Sequence, residues 1–512
     1  MIIEQARQPE IAGDVREFFT SHRGAFGAMN LLDHHLPSDA RIAELVRNVM
    51  TVDYAISRVL EVPDYHSYLD RFSADSMGAC GDTGMPGDSG GTYRDHLIDL
   101  EDMTGAALAD AVTTAAADSM ETFNLFVPKQ CNLSCRGCYA AAVPVTARPF
   151  DDGLVAGFTS GALSVIEQAR ACGARTVYTS GDGEPTIFPR FFDLLEAIRE
   201  RGMQWLFFTA GLAFSSEEAA RRVWQDAAAH LQGPSRDRIA QRLSALERDG
   251  APDPTVRALT AELAEFRENI EVYHSIWRAS GRENTEVRRP QTGEYRYVRV
   301  PSRDTTLELP SSLLAFMDEV FTGDLRGRLG IEMPVSDIGA ADAADVAAFV
   351  VDNGLRSYFE PTILTGRNRI GDLGEAPPDV LHQLSPLLVR AKCGFRNIHQ
   401  PTVKYVQDHA GTGFVASPGM GVDTADLGSL GVLEPLRIGD SAGGFFAAAH
   451  APLMVYANYV HSEGCKCNSF AARLKEDRAG LARSWQQISS CLDPARISLP
   501  ELAVTLRAAD GG

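Results

Sequence analysis

The sequence predicts an α/β fold: a partial, TIM-like (β/α)6 barrel flanked by a helical N-terminal domain and a cysteine-containing C-terminal extension. Three observations lead there. Between about residues 121 and 370, short apolar runs alternate with amphipathic stretches, as βαβ units on a parallel sheet do. Six strand–helix units can be counted in that span. A chain of 512 residues is also too long for one ordinary compact domain, yet suits a barrel with additions at both ends.

Residues 1–120 read as the helical domain, because apolar positions recur at helical spacing in IAELVRNVMTVDYAISRVLEV and again in HLIDLEDMTGAALADAVTTAAADSM. Between them, residues 73–92 are rich in Gly, Ser and Asp and should form a mobile linker or lid. The barrel, 121–370, starts with the apolar run FNLFV and continues with the strands RTVYTS, QWLFFTAG, IEVYHSI, LGIEMPV and LRSYFEPTIL. The helices between them are LVAGFTSGALSVIEQARACG, FFDLLEAIRERG, SLLAFMDEVF and DAADVAAFVVDNG. Residues 215–268, rich in Ala, Glu and Arg, read as an inserted pair of long helices, and 285–308, alternating about QTG, as an inserted β-hairpin. Residues 371–512, with Gly-rich loops and sparse cysteines, are expected to form a separate cap or domain.

Composition narrows the partners. Hydrophobic residues make up 45% and charged residues 23%, as in ordinary globular proteins. The formal net charge of -20 repels phosphate backbones and anionic lipids, so neither nucleic acid nor a membrane surface is expected as a partner. The first residues, MIIEQARQPEIAGDVREFF, lack a basic start and an apolar core, and no apolar run is long enough to span a bilayer, so a cytoplasmic protein is expected. Nine cysteines in such a chain point to metal or redox chemistry rather than disulfides.

Three of those cysteines, Cys131, Cys135 and Cys138, stand in KQCNLSCRGCYA directly after the first strand. Thiolates are the usual ligands of iron–sulfur clusters, and a cubane has four irons. A Cys-x3-Cys-x2-Cys loop can ligate three of them and leave the fourth open. Structural zinc sites instead need four ligands, commonly as paired Cys-x2–4-Cys units, and no matching pair lies nearby.

The run CNLSCRGCY after a strand resembles the defining motif of the radical S-adenosylmethionine (SAM) superfamily. That resemblance implies a [4Fe–4S] cluster on Cys131, Cys135 and Cys138, with SAM chelating the open iron through its amino and carboxylate groups. It implies reductive cleavage of SAM to a 5′-deoxyadenosyl radical that takes a hydrogen atom from substrate, a reaction whose difficult chemistry belongs to the cofactor. It covers roughly residues 121–370.

Further candidates follow at strand ends, where barrels gather their active sites. Gly181, Asp182, Gly183 and Glu184 resemble the family's Gly-Gly-Glu element that holds the SAM amino group, with Asp182 interposed between the glycines. Thr209, with Ala210 and Gly211, is similar to the family's Asn-Gly turn. Ser275 stands where the family often places a ribose contact; His274 alternates with it, so one of the two should point inward. Glu360 and the Gly366-Arg367 pair follow the last strand, and Arg367 resembles an element that could pair with the SAM carboxylate or an anionic substrate. Tyr139, the aromatic after the last cysteine, completes the cofactor-binding candidates.

Of the remaining cysteines, Cys393, Cys465, Cys467 and Cys491 resemble a degenerate twitch or SPASM extension that would hold a second [4Fe–4S] cluster. Ala416 and Ser417 stand where its second cysteine would be, and Cys-x-Cys replaces Cys-x2-Cys. A thiol that donates hydrogen to a substrate radical, or plain structural cysteines, are the other readings. Cys80 and Cys172 read as structural.

The late position of the motif, behind helices, resembles the radical SAM deaminases and dehydratases of deoxyaminosugar biosynthesis. By that analogy the substrate is a small polar molecule, a sugar or natural-product intermediate, undergoing deamination, dehydration, oxidation or epimerisation, with a flavodoxin or ferredoxin-type electron donor. Two alternatives stay open: a radical SAM peptide maturase with an auxiliary cluster, and a non-enzymatic iron–sulfur electron carrier or metal-binding protein.

Overall fold

The structure is a computed structural model that describes residues 39–61, 89–120, 122–138, 140–179, 183–211, 270–291, 295–303, 305–315, 329–353, 355–361, 367, 373–374, 402–407, 413–416 and 497–509. Side chains are not described for all of these, among them every residue of 402–407 and 413–416.

Its centre is a parallel sheet. Strands β1 (Thr122–Leu125), β4 (Thr176–Thr179), β5 (Gln204–Thr209), β6 (Ile270–Ser275), β9 (Leu329–Val335) and β10 (Arg356–Pro361) lie side by side in chain order, each parallel to the next. An order that never reverses has no switch point. Right-handed crossovers then place the connecting helices on one face, and the described ones share one core with that face of the strands, as in a barrel. This is the mixed α/β architecture the alternating pattern predicts, with all six strands at the expected runs.

The two faces differ in chemistry. Val177, Trp205, Phe207, Val272, Ile331 and Met333 enter one large core with helix α4 (Asp152–Ala171), helix α5 (Phe191–Glu200) and helix α7 (Ala343–Asn353). On the other face Tyr178, Leu206 and Tyr273 form a separate cluster. The Tyr273 ring lies directly over Gly330, where an added Cβ would fall 2.1 Å from its Cε1. By strand alternation Glu271 and Ser275 share this inner face with Tyr273, and Ser275 rather than His274 faces inward.

Helices α1 (Asp39–Leu60), α2 (Ser89–Glu101) and α3 (Gly105–Ala116) precede the sheet. Thr104 caps α3 by accepting from the Ala107 amide at 3.2 Å. These helices do not close a core of their own: Val52, Leu100, Leu108 and Val112 belong to the same cluster as Phe123 and Phe158. Helix α8 (Leu499–Ala509), at the far end of the chain, packs on α3 and α1 through Leu502 and Leu506, and Arg507 pairs with Asp110.

Two features differ from the sequence reading. Strands β11 (Thr402–Gln407) and β12 (Gly413–Ala416), expected in a separate extension, continue the sheet beyond β1, β11 parallel and β12 antiparallel. The inserted hairpin is β7 (Tyr297–Pro301) with β8 (Thr306–Pro310), and its turn is at 302–305. Residues 285–288, expected to open the first arm, belong instead to helix α6 (Gly281–Arg288). The polar run GRENTEVR reads equally as alternation or as one helical turn after another; only its packing decides. The expected helical insertion 215–268 and the loop 73–92 lie outside the described residues, except Ser89–Thr92 in α2.

Candidate functional site

The cysteine loop hangs from the C-terminal end of β1 and is pinned on every side. Strand β2 (Gln130–Cys131) pairs with β3 (Val143–Pro144), and the Val143 amide donates to the Lys129 carbonyl at 2.7 Å. The loop therefore closes on itself around Cys131, Cys135 and Cys138. Its second anchor is the C-terminus of α6: the Ser134 amide donates to the Arg288 and Arg289 carbonyls, both at 3.1 Å, and the Arg136 amide to the Val287 carbonyl at 3.0 Å. Orphan carbonyls of a helix end thereby bond the amides on either side of Cys135. Gln291 adds a bond from Nε2 to the Cys131 and Leu133 carbonyls, each at 3.4 Å.

Two glycines allow this closeness. An added Cβ at Gly137 would lie 2.5 Å from Leu373 and 2.6 Å from the Trp277 ring. At Gly183 it would lie 2.0 Å from the Pro128 carbonyl oxygen and 2.5 Å from that of Gln130. The second strand end is thus pressed backbone to backbone onto the cysteine loop, and the Glu184 amide donates to the Gln130 carbonyl at 3.2 Å.

The three thiols are free, and Cys131 and Cys135 are buried. Cys131, Cys135, Leu133, Ala142 and Ala210 form one small apolar cluster, with Cys138, Tyr295 and Tyr297 packed against it. Burial, then the neighbouring Cys135 and Glu184, pushes the Cys131 thiol well above its ordinary range. Burial raises Cys135 too, against the opposing pull of Arg288. Thiolates in so dry a place require a cationic group to face them. Among the described residues no three His, Cys, Asp or Glu side chains converge on a point that one metal ion could occupy. A cubane spreads its thiolates over separate irons, and three thiols in one apolar loop suit it.

The supporting residues take the following places. The Glu184 carboxylate is 4% exposed and turned toward protein donors. Its Oε1 accepts from the Thr186 and Thr209 hydroxyls, each at 2.6 Å, and Oε2 from the Ala210 amide at 3.0 Å. Glu184 and Thr209 therefore brace the β4 end against the β5 end. Removing the carboxylate strands these donors, so Glu184→Ala should lower unfolding free energy by ~3 kcal/mol and Glu184→Gln by less, read from urea midpoints. Arg367 is at the site as well, but it spends Nε on the Cys135 carbonyl at 2.9 Å and Nη1 on the Ala142 carbonyl at 2.7 Å. Those two donors staple the loop.

His274 is fully buried; Nδ1 meets the Thr209 carbonyl at 3.3 Å, and Nε2 has no partner among the described residues. Burial holds its pKa down at about 3. Below ~6.5 the unfolded chain binds a proton that the folded chain refuses, so stability falls as pH drops from ~6.5 toward 3. Between pH 7 and pH 5 this histidine should cost up to ~2 kcal/mol. His274→Gln should remove that part of the slope in urea titrations at the two pH values; an unaltered slope would contradict the burial of the neutral ring.

Gly181, Asp182, Tyr139, Gly366, Cys80, Cys393, Cys465, Cys467 and Cys491 lie outside the described residues, and Glu360 is described only as backbone in β10, paired with Pro334. Cys172 sits in the main core, its thiol pushed up to about 12 by burial. The sequence reading passed over Arg288. An Arg-Arg doublet at 288–289 carries no sign of which member is buried; the left-handed backbone of Arg289, φ 48°, is what separates them.

No described helix is long and apolar enough to cross a membrane. No family model matches the chain, and no curated protein matches it. Among solved structures it is similar to Streptococcus suis SuiB bound to the precursor peptide SuiA, at 14% identity and a TM-score of 0.27, over 55% of this chain and 45% of that one. SuiB bound to S-adenosylmethionine is similar at 13% identity and a TM-score of 0.27, over 50% of this chain and 43% of that one. The chain thus spans less than half the length of these SuiB chains, and neither identity nor TM-score is high enough to transfer an activity or a ligand.

Proposed function

We propose that the chain is a radical SAM enzyme. The observation that carries this reading is the cysteine loop itself: Cys131, Cys135 and Cys138 gathered in one apolar pocket at the C-terminal end of the first of six sequential parallel strands in the central sheet, with the Gly183 backbone pressed against it. The three thiolates would hold a [4Fe–4S] cluster with one open iron. Bound there, the cluster and SAM supply one-electron reductive cleavage and a hydrogen-abstracting radical.

The chain's own residues hold and shield. Tyr295 and Tyr297 pack against the thiol cluster, Glu184 and Thr209 fix the second and third strand ends, and by strand alternation Ser275 shares the inner face with Tyr273. A carrier of electrons alone needs neither an inward polar strand end nor a glycine-tight second loop, which favours the enzyme over the electron-transfer reading.

Two substrate classes suit this site: a small polar compound bearing a carbinol carbon, and a peptide. Of the named structures, SuiB was solved with a precursor peptide, and none is a deoxyaminosugar enzyme. The test is one assay. Anaerobically reconstituted protein, given dithionite and SAM, should release 5′-deoxyadenosine, and deuterium from the true substrate should pass into it. Label from a peptide selects the maturase reading, label from a sugar selects the deaminase or dehydratase, and absence of 5′-deoxyadenosine removes the enzyme reading. Iron content decides the auxiliary cluster: about four irons per chain for one, about eight if Cys393, Cys465, Cys467 and Cys491 hold another.

A further inference from the structure

Arg288 is a buried cation that meets no carboxylate counter-charge among the described residues. The residue is 7% exposed, and Nε and Nη2 find no hydrogen-bond partner among the described residues. Its third nitrogen, Nη1, lies 3.9 Å from Sγ of Cys135. A buried guanidinium left unpaired costs several kcal/mol, so a fold keeps one only where something negative faces it. No carboxylate is in salt-bridge range of it among the described residues, whereas Arg278 on the same segment pairs with both Glu283 and Asp342.

The backbone fixes the relation. Ser134 and Arg136, the residues on either side of Cys135, donate their amides to the carbonyls of Val287, Arg288 and Arg289. Cys135 and Arg288 are thus held opposite each other by main-chain bonds rather than by a flexible approach of two side chains. Arg367 adds a second positive charge near Cys135, but its Nε and Nη1 are spent on loop carbonyls, so among the described residues the guanidinium that meets the Cys135 sulfur is that of Arg288.

We propose that Arg288 is a positioning residue for the cluster, donating from Nη1 to the Cys135 thiolate and setting a fixed positive charge against that corner of the four-iron group. This rests on the cluster reading above. Hydrogen bonds to cluster sulfurs and nearby charge are the protein's means of setting reduction potential. A cation here favours the reduced, more negative cluster, so Arg288 makes the reducing electron easier to accept.

The test is an EPR-monitored redox titration of reconstituted protein, wild type against Arg288→Gln and Arg288→Lys. At the potential where wild type is half reduced, Arg288→Gln should retain its iron but show the reduced-to-oxidised ratio about tenfold lower, equivalent to ~59 mV for one electron. Arg288→Lys, which keeps the charge, should stay within about threefold of wild type. A second measurement needs no neutral variant: in wild type labelled with guanidino-15N arginine, pulsed EPR of the reduced cluster should show a nitrogen coupling that Arg288→Lys loses. Unchanged potentials in an iron-loaded Arg288→Gln, or a nitrogen coupling unaffected by Arg288→Lys, would overturn this role and leave the radical SAM reading standing. Wild type that takes up no four-iron cluster would overturn both.

Discussion

Cys131→Ala, Cys135→Ala and Cys138→Ala are each expected to strip the chain of its iron and of all 5′-deoxyadenosine formation. Every thiol stands alone in its task. The pocket around Cys131 and Cys135 is built from Leu133, Ala142 and Ala210, none of which offers a replacement donor. Loss of a residue that merely orients a metal ligand typically costs 10- to 100-fold in affinity, and loss of the ligand itself should exceed that. Iron per chain after reconstitution should therefore fall by at least about tenfold in each variant. Cys172→Ala is the internal control, because its thiol is buried in the main core away from the loop. It should keep wild-type iron while losing some stability to the cavity. Iron retained in any of the three loop variants would mean that the loop is not the cradle.

Gly183→Ala should be the most damaging single methyl in the described structure. The new Cβ would fall 2.0 Å from the Pro128 oxygen and 2.5 Å from the Gln130 oxygen, both backbone atoms of the segment that delivers Cys131. Neither can rotate aside, so the second strand end must lift from the cysteine loop, breaking the bond from the Glu184 amide to Gln130. A loss of ~3 kcal/mol or more is expected, with weakened iron uptake. Gly202→Ala provides the contrast: its φ of +65° strains any side chain, but nothing lies within 4 Å. That variant should lose only ~1 kcal/mol and take up iron normally. Equal losses in the two would show that contact at Gly183 is not what matters. Gly137, wedged between Trp277 and Leu373, should behave like Gly183 in milder form, since side chains can yield where carbonyls cannot.

Much of the framework was legible because buried parallel strands are short apolar runs, and each one here is bounded by a turn. RTVYTS, QWLFFTAG and LGIEMPV leave little choice of state, and their alternation with helices predicts a parallel sheet. The cysteine spacing was legible for a different reason, since no ordinary structural demand places three thiols in eight residues. What stayed hidden depends on contacts distant in sequence. Nothing in the strand-forming residues 402–407 announces that they pair with Thr122–Leu125, 280 residues away by Thr402 to Thr122. Nothing in the last helix announces that Leu502 and Leu506 close the core begun by Val52 and Leu108. Glu184 looked like a cofactor ligand by its motif, yet its carboxylate is engaged by Thr186, Thr209 and Ala210. Arg288 shows the converse: a residue ordinary in sequence becomes notable only once its guanidinium is found buried beside Cys135 with two nitrogens unpaired among the described residues.

The proposed radical chemistry requires a cluster held by Cys131, Cys135 and Cys138 with one iron left for SAM. Low-temperature EPR of the dithionite-reduced, anaerobically reconstituted protein, recorded before and after addition of SAM, addresses it directly. A reduced four-iron signal whose shape changes when SAM is added is the expected result, because the open iron gains new ligands. A colourless protein whose three thiols grip zinc, or a cluster signal indifferent to SAM, would contradict it.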